Sequence, residues 1–144
     1  MKLSRNFDSN EFLQSNTATR LGFEEQSTPQ DEVIDNLQTL CIELLQPLRD
    51  GLPNGFLRIS SGYRCERLNK AVGGKSNSQH LTGCAADVQY IDGNGQMNNL
   101  KIIEWVQKFG LSFDQMLNEF GGKWIHLSYV NDKENRKQIL NITT

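Results

Sequence analysis

The sequence predicts an α+β fold, and three observations carry that reading. Apolar residues recur at helical spacing through Val33, Ile34, Leu37, Leu40, Cys41, Leu44, Leu45 and Leu48. Short segments of strand character gather later, at 56–60, 84–90, 113–119 and 124–130. Gly121-Gly122 between the last two is a hairpin signal. Helices first and strands mostly later imply separate layers with antiparallel pairing. The expected architecture is N-terminal helices packed on a small, mainly antiparallel sheet. At 144 residues, 1–144 is expected to form a single domain.

In chain order, 7–15 reads as a short helix. Asp8 can cap it, Glu11 completes a capping box, and Phe7 with Phe12 forms a hydrophobic staple. Residues 16–27 read as a loop. The main helix is expected over 29–49, with Thr28 as N-cap, Pro29 in the first turn and Asp31 at the positive end. Pro47 is expected to bend or end its last turn. A turn at 51–55 leads into the strand at 56–60. Residues 66–72 read as a short helix broken by Gly73-Gly74, and 75–81 as polar loop. After the strand at 84–90, Asp92-Gly93-Asn94-Gly95 is a turn. Asn98 or Asn99 can cap a helix running to Phe109, with an apolar face of Leu100, Ile103, Val106 and Trp105, ended by Gly110. The polar tail at 131–144 reads as a terminal helix or a loosely held segment.

Composition narrows the partners. Fifteen Lys and Arg against 17 Asp and Glu leave a net charge of -2, so neither nucleic acid nor an anionic membrane is the expected partner. No apolar run approaches the roughly 20 residues that span a bilayer. The N-terminus, Met1 to Asp8, lacks the apolar core of a signal peptide, which implies synthesis in the cytoplasm. The three cysteines, Cys41, Cys65 and Cys84, are an odd number without C-x-x-C spacing and read as reduced thiols.

The chain has two histidines, and both sit in compact motifs. Ser78 to Asp87 reads S-x-H-x-x-G-x-A-x-D, and Trp124-Ile125-His126-Leu127-Ser128 holds the second. His80, Asp87 and His126 make a three-donor set suited to a catalytic zinc ion with an open fourth position. Gly83 would let the backbone pass closely, and Ala85 and Ala86 leave room. Taken singly, His80 would be a surface loop histidine, Asp87 an edge-strand carboxylate and His126 a hydrogen-bonded core histidine. If the hairpin turns on Gly121-Gly122, residue 119 pairs with 124 and 117 with 126. Glu119 then shares a face with Trp124 and His126, and a one-residue shift would reverse that. Its roles as general base and as an exposed hairpin-end carboxylate are nearly even.

These motifs resemble those of the zinc D-Ala-D-Ala carboxypeptidase family of metallopeptidases (peptidase M15), including its phage and prophage lysins. Ser60-Ser61-Gly62-Tyr63-Arg64 and Leu68-Asn69-Lys70-Ala71-Val72-Gly73-Gly74 look like the segment that precedes the metal motif in that family. Glu11-Phe12, Ser15-x-Thr17-Ala18-x-Arg20, Pro47-Leu48-Arg49 and Glu134-Asn135-Arg136 extend the likeness over nearly the whole chain. The resemblance implies one zinc ion on His80, Asp87 and His126, with Cys84 outside the metal shell. It implies that Arg64 binds the substrate carboxylate or steadies the polarised carbonyl. Ser78 is expected at the substrate or as a loop cap, and Trp124 as a cleft wall or a packing residue. The family often carries Glu or Asp three residues before the last His; here Lys123 stands there, so Glu119 becomes the candidate base. The implied activity is cleavage of a bond in the peptidoglycan stem peptide, as a carboxypeptidase or an L-Ala-D-Glu type endopeptidase. The implied setting is a monomer acting on the wall as an endolysin or virion component. The reading from a different class is a non-catalytic, zinc-stabilised wall-binding or phage tail module.

Overall fold

The computed structural model describes residues 1–142. It has the α+β architecture the sequence predicts. One five-stranded sheet runs in the order β3-β4-β6-β5-β7, with β3 at Phe56–Ser61, β4 at Ala85–Ile91, β5 at Gln115–Glu119, β6 at Trp124–Ser128 and β7 at Gln138–Ile142. Every neighbouring pair is antiparallel except β5 and β7. One face of the sheet meets the helices through Leu57, Val88, Ile125, Leu127 and Met116, which join the main core. Side chains alternate across a pleated strand, so the other face is free to line a cleft.

The core helix is α3 at Asp31–Leu40, continuing through a π turn at Cys41–Leu45 into α4 at Gln46–Asp50. Leu37, Leu40, Cys41, Leu44, Leu45 and Leu48 are fully buried along its stripe. Each buried leucine is worth roughly 1.5–3 kcal/mol against exposure. Pro47 does not end this helix. It lacks an N–H and its ring would press on the carbonyl four residues earlier. The π turn just before it, closed by Gln46 N–H to Cys41 O, widens the helix at that point. The helix begins at Asp31 with Gln30 as its uncapped N-terminal neighbour; Thr28 and Pro29 lie ahead of it, so the predicted cap is displaced.

At the N-terminus the capping box forms as expected. Helix α1 is Ser9–Leu13, Asp8 accepts from Asn10 N–H, and Glu11 accepts from Asp8 N–H. The Phe7 and Phe12 rings lie 6.1 Å apart. Two features were not anticipated. A small antiparallel pair, β1 at Lys2–Ser4 and β2 at Phe7–Asp8, precedes α1. The expected loop at 16–27 is instead helix α2 at Asn16–Leu21 and a 3-10 turn at Glu24–Ser27. Ser15 caps α2, and Gly22 closes it in the left-handed region at φ 75°.

Helix α5 spans Glu66–Ala71 and α6 spans Leu100–Lys108. On α6 the buried stripe is Ile102 and Val106, while Leu100 faces solvent at 52% exposure. Asn99 precedes α6 but makes no side-chain cap. Its Oδ1 accepts from Tyr90 N–H, and its Nδ2 donates to the carbonyls of Gly122 and Lys123. It therefore ties α6 to β4 and to the β5–β6 hairpin. The tail forms neither a helix nor a loose segment through residue 142. It pairs as β7, with Leu117 opposite Leu140 and Glu119 opposite Ile142. Residues 143–144 lie outside the described residues. Cys41, Cys65 and Cys84 are free and buried, and burial pushes the Cys41 and Cys84 thiols up. No helix among the described residues is long and apolar enough to cross a membrane.

Asn99→Ala leaves the buried Tyr90 N–H without its acceptor and takes the donor from the Gly122 carbonyl. We expect a loss of about 2–3 kcal/mol of stability, measured as a lowered urea midpoint with unchanged slope.

Candidate metal centre

The β4–β6 register places Asp87 directly opposite His126. His80 comes from a 3-10 turn, Gln79–Thr82, that leads into β4. The three side chains are buried, and their donor atoms lie within 4.8 Å of one another. His80 Nε2 and His126 Nδ1 each sit 3.2 Å from Asp87 Oδ1. The imidazole rings meet edge to face at 5.0 Å. Asp87 lies on an interior strand of the sheet, and His80 is not a surface histidine.

The tautomer of His80 follows from its second contact. Its Nδ1 is 2.6 Å from the Gly62 carbonyl, which can only accept, so Nδ1 carries the hydrogen. In the neutral ring Nε2 then presents a lone pair to a carboxylate oxygen. Two acceptors at contact distance in a buried site require a positive charge between them, a proton or a metal ion. Burial pushes the Asp87 carboxyl up. Hydrogen bonds from His126 and His80, and their charge when protonated, outweigh that and hold it well below the usual carboxylate range. The donor set, its burial and the orienting carbonyl all fit a metal ion with nitrogen and oxygen ligands.

A strap from β3 builds the rest of the site. A bulge lies between the pairs Ile59–Val88 and Ser61–Asp87; bulges re-aim chains beside active sites. Beyond it, Tyr63 N–H donates to Phe12 O, and Arg64 N–H donates to His80 O. Gly62 is required by crowding, since a Cβ there would fall 2.6 Å from Phe12 Cα. Gly83, at φ 80°, ends the 3-10 turn where a Cβ would meet Val33 O at 2.6 Å. Buried Gln26 clamps the strap from beneath. Its Nε2 donates to Leu13 O and Tyr63 O, and its Oε1 accepts from Cys65 N–H.

Arg64 reaches the centre. Its Nη2 lies 3.4 Å from Asp87 Oδ2, Nε donates to Ser61 Oγ, and Nη1 donates to Asn69 Oδ1. These bonds occupy only part of the five-donor fork. Glu119 stands opposite Trp124 on the strand pair that also sets Leu117 opposite His126, the register read from Gly121-Gly122. Trp124 Nε1 donates to Glu119 Oε2. Ser78 accepts from His80 N–H and caps the 3-10 turn. Cys84 does not belong to the donor cluster. All of the predicted site residues line one cleft of about 1650 Å³.

Sequence reasoning missed a second anchor, Asp114. It is fully buried and accepts from Gln79 Nε2, from Arg136 N–H and from the Arg136 guanidinium. It thereby fixes the residue beside His80 and the start of the C-terminal segment together. The Arg136 guanidinium holds its carboxyl down to about 2. The signal was present as Asp114 and Arg136, but nothing local joins residues so far apart.

The family model described as Peptidase M15 matches residues 5–128. The chain belongs to the peptidase M15 family. M15 members are metallopeptidases, and the buried histidine–aspartate–histidine group falls within the matched residues. A search of curated proteins finds no match.

Two predictions follow from this geometry. Gly62→Ala displaces the carbonyl that orients His80, and we expect the affinity of the His80–Asp87–His126 group for an added divalent metal ion to fall about 10–100-fold, read by competition with a chromophoric chelator. Arg136→Gln removes the partner that depresses Asp114. That stabilisation is complete above the ordinary carboxylate value of 3.8 and is lost as pH falls toward about 2. The gap in melting temperature between wild type and Arg136→Gln should be full at pH 5–7 and close between about pH 4 and 2.

Proposed function

We propose that this M15 protein is a zinc-dependent peptidase that hydrolyses a bond in the stem peptide of bacterial peptidoglycan. The observation that carries the reading is the buried His80–Asp87–His126 group at the floor of a cleft that also presents Glu119 and Arg64. Zinc held by those three residues supplies Lewis acidity, acidifying water to a pKa of about 7 and polarising a carbonyl.

The chain's own residues do the remainder. Trp124 occupies Glu119 Oε2, so Oε1 is the oxygen that accepts a proton from the attacking water. Glu119 then returns that proton to the leaving amine. Arg64 is held by Ser61, Asn69 and Asp87 and offers its remaining N–H groups to the developing oxyanion or a substrate carboxylate. Trp124 walls the cleft and orients the base. Ser78 fixes the turn that delivers His80.

Lys123 at the position where the family often has an acid favours one other reading, a zinc-stabilised wall-binding module without turnover. Mass analysis of peptidoglycan fragments separates the two. With zinc, the wild type should release new fragments that a chelator suppresses, and their masses distinguish carboxypeptidase from endopeptidase cleavage. Glu119→Gln should slow release by about 10²–10⁴-fold with zinc still bound. Zinc-loaded wild type that releases nothing would support the binding module.

A further inference from the structure

Three arginines line the cleft, Arg58, Arg64 and Arg136. Arg64 is paired with Asp87, and Arg136 with Asp114. Arg58 has no carboxylate within ion-pair distance among the described residues. It is exposed on the edge strand β3, yet its side chain is oriented. Its Nε donates to Gln89 Oε1 at 2.9 Å, and Gln89 Nε2 donates to the Lys123 carbonyl at 3.0 Å. Both ends of that half-buried amide are used, so Gln89 is fixed and fixes Arg58 in turn. The guanidinium spends its Nε–H there and keeps the N–H groups of Nη1 and Nη2.

The sheet register places this guanidinium relative to the metal centre. Arg58 pairs with Gln89, and Glu119 with Trp124. The β4–β6 register, continued one residue past Val88–Ile125, sets Gln89 beside Trp124. One row across the cleft therefore runs Arg58, Gln89, Trp124, Glu119, and all of these residues line it. Gln89 is two residues from Asp87 along β4, so this row lies about 6.6 Å from the one that holds Asp87 and His126. The candidate base, an acid, stands at one end. At the other, about 14 Å away across three strand spacings, stands an arginine with no acid of its own. A substrate carboxylate in this row is repelled by Glu119 and drawn to Arg58. That gradient gives a bound peptide its direction across the sheet, with the anionic side toward β3.

We propose that Arg58, aimed by Gln89, binds the free carboxylate that the substrate carries on the carbon bearing the scissile nitrogen. The inference rests on the peptidase reading and deepens it. Both cleavages named above put a carboxylate at that carbon. In one it is the terminal carboxylate of the released D-Ala. In the other it is the α-carboxylate of D-Glu, because the stem peptide continues through the D-Glu side chain. The carbon adjoins the reacting amide, which matches a guanidinium one row from the metal donors. The Nη1–Nη2 end of the fork can take both carboxylate oxygens, and Arg64 is left for the developing oxyanion.

The test reads binding rather than turnover. Zinc-loaded Glu119→Gln is titrated by calorimetry with the peptide L-Ala-γ-D-Glu-L-Lys-D-Ala-D-Ala, and with the same peptide amidated at the D-Glu α-carboxyl or at the C-terminus. One of the two amides should bind about tenfold more weakly than the parent, and which one it is names the bond. Adding Arg58→Gln should weaken the parent to the level of that amide, with zinc affinity unchanged. Arg58→Lys should keep only part of the difference, since a point charge replaces the fork. Gln89→Met should shrink it with Arg58 intact. Peptides that bind alike, a parent that does not bind, or an amide penalty that survives Arg58→Gln overturns the assignment. The fragment analysis gives a separate answer. An Arg58-dependent penalty without fragments from zinc-loaded wild type sustains the carboxylate site and sinks the peptidase reading. Fragments without the penalty sustain the peptidase and sink the site.

Discussion

A carboxylate with almost no access to water is the constraint on which the structure depends. Asp87 is 4% exposed, and an ionised group there is costly unless charge and hydrogen bonds answer it. His80 and His126 approach one oxygen and Arg64 approaches the other. Each partner arrives from a different part of the chain, so the site exists only when the turn, the sheet and the strap are all in place. The interior position of β4, between β3 and β6, excludes water from Asp87 from both sides.

Polar clamps hold the irregular segments that deliver those partners. Gln26, Asp114 and Asn99 each bridge elements distant in sequence through several bonds from one buried side chain. The helix core supplies bulk stability, but it cannot orient a turn such as Gln79–Thr82. A buried amide or carboxylate can, because every alternative arrangement leaves it unsatisfied. The division of labour is between apolar burial, which holds the sheet against the helices, and fixed hydrogen bonds, which aim the side chains of the cleft.

Much of this was legible in the sequence where the signal is local. The capping box at Asp8 and Glu11, the stripe from Val33 to Leu48 and the glycine pair that sets Glu119 opposite Trp124 all act within a few residues. The donor trio was legible because the chain has so few histidines and both lie in compact motifs. The misses have physical reasons. Helix α2 buries only Ala18, so it shows no apolar stripe, although Ser15 and Gly22 mark its ends. Thr28 lost the cap because the helix starts later, at Asp31. Strand β7 is parallel to β5 and half exposed, so its place is decided by a distant partner. Asp114 reads as an ordinary residue at the start of a strand and Asn99 as a helix cap, and only the fold shows them buried and bonded to distant segments.

The three cysteines carry a consequence of a different kind. They are buried and unpaired, and burial keeps the Cys41 and Cys84 sulfurs in their unreactive thiol form. Among the described residues the fold therefore contains no bond that glutathione could reduce and offers oxidants little thiolate to attack. The packing around Cys41 and Cys84 thus does for these sulfurs what a cross-link does elsewhere: it holds them in one place, with apolar contact rather than a covalent bond.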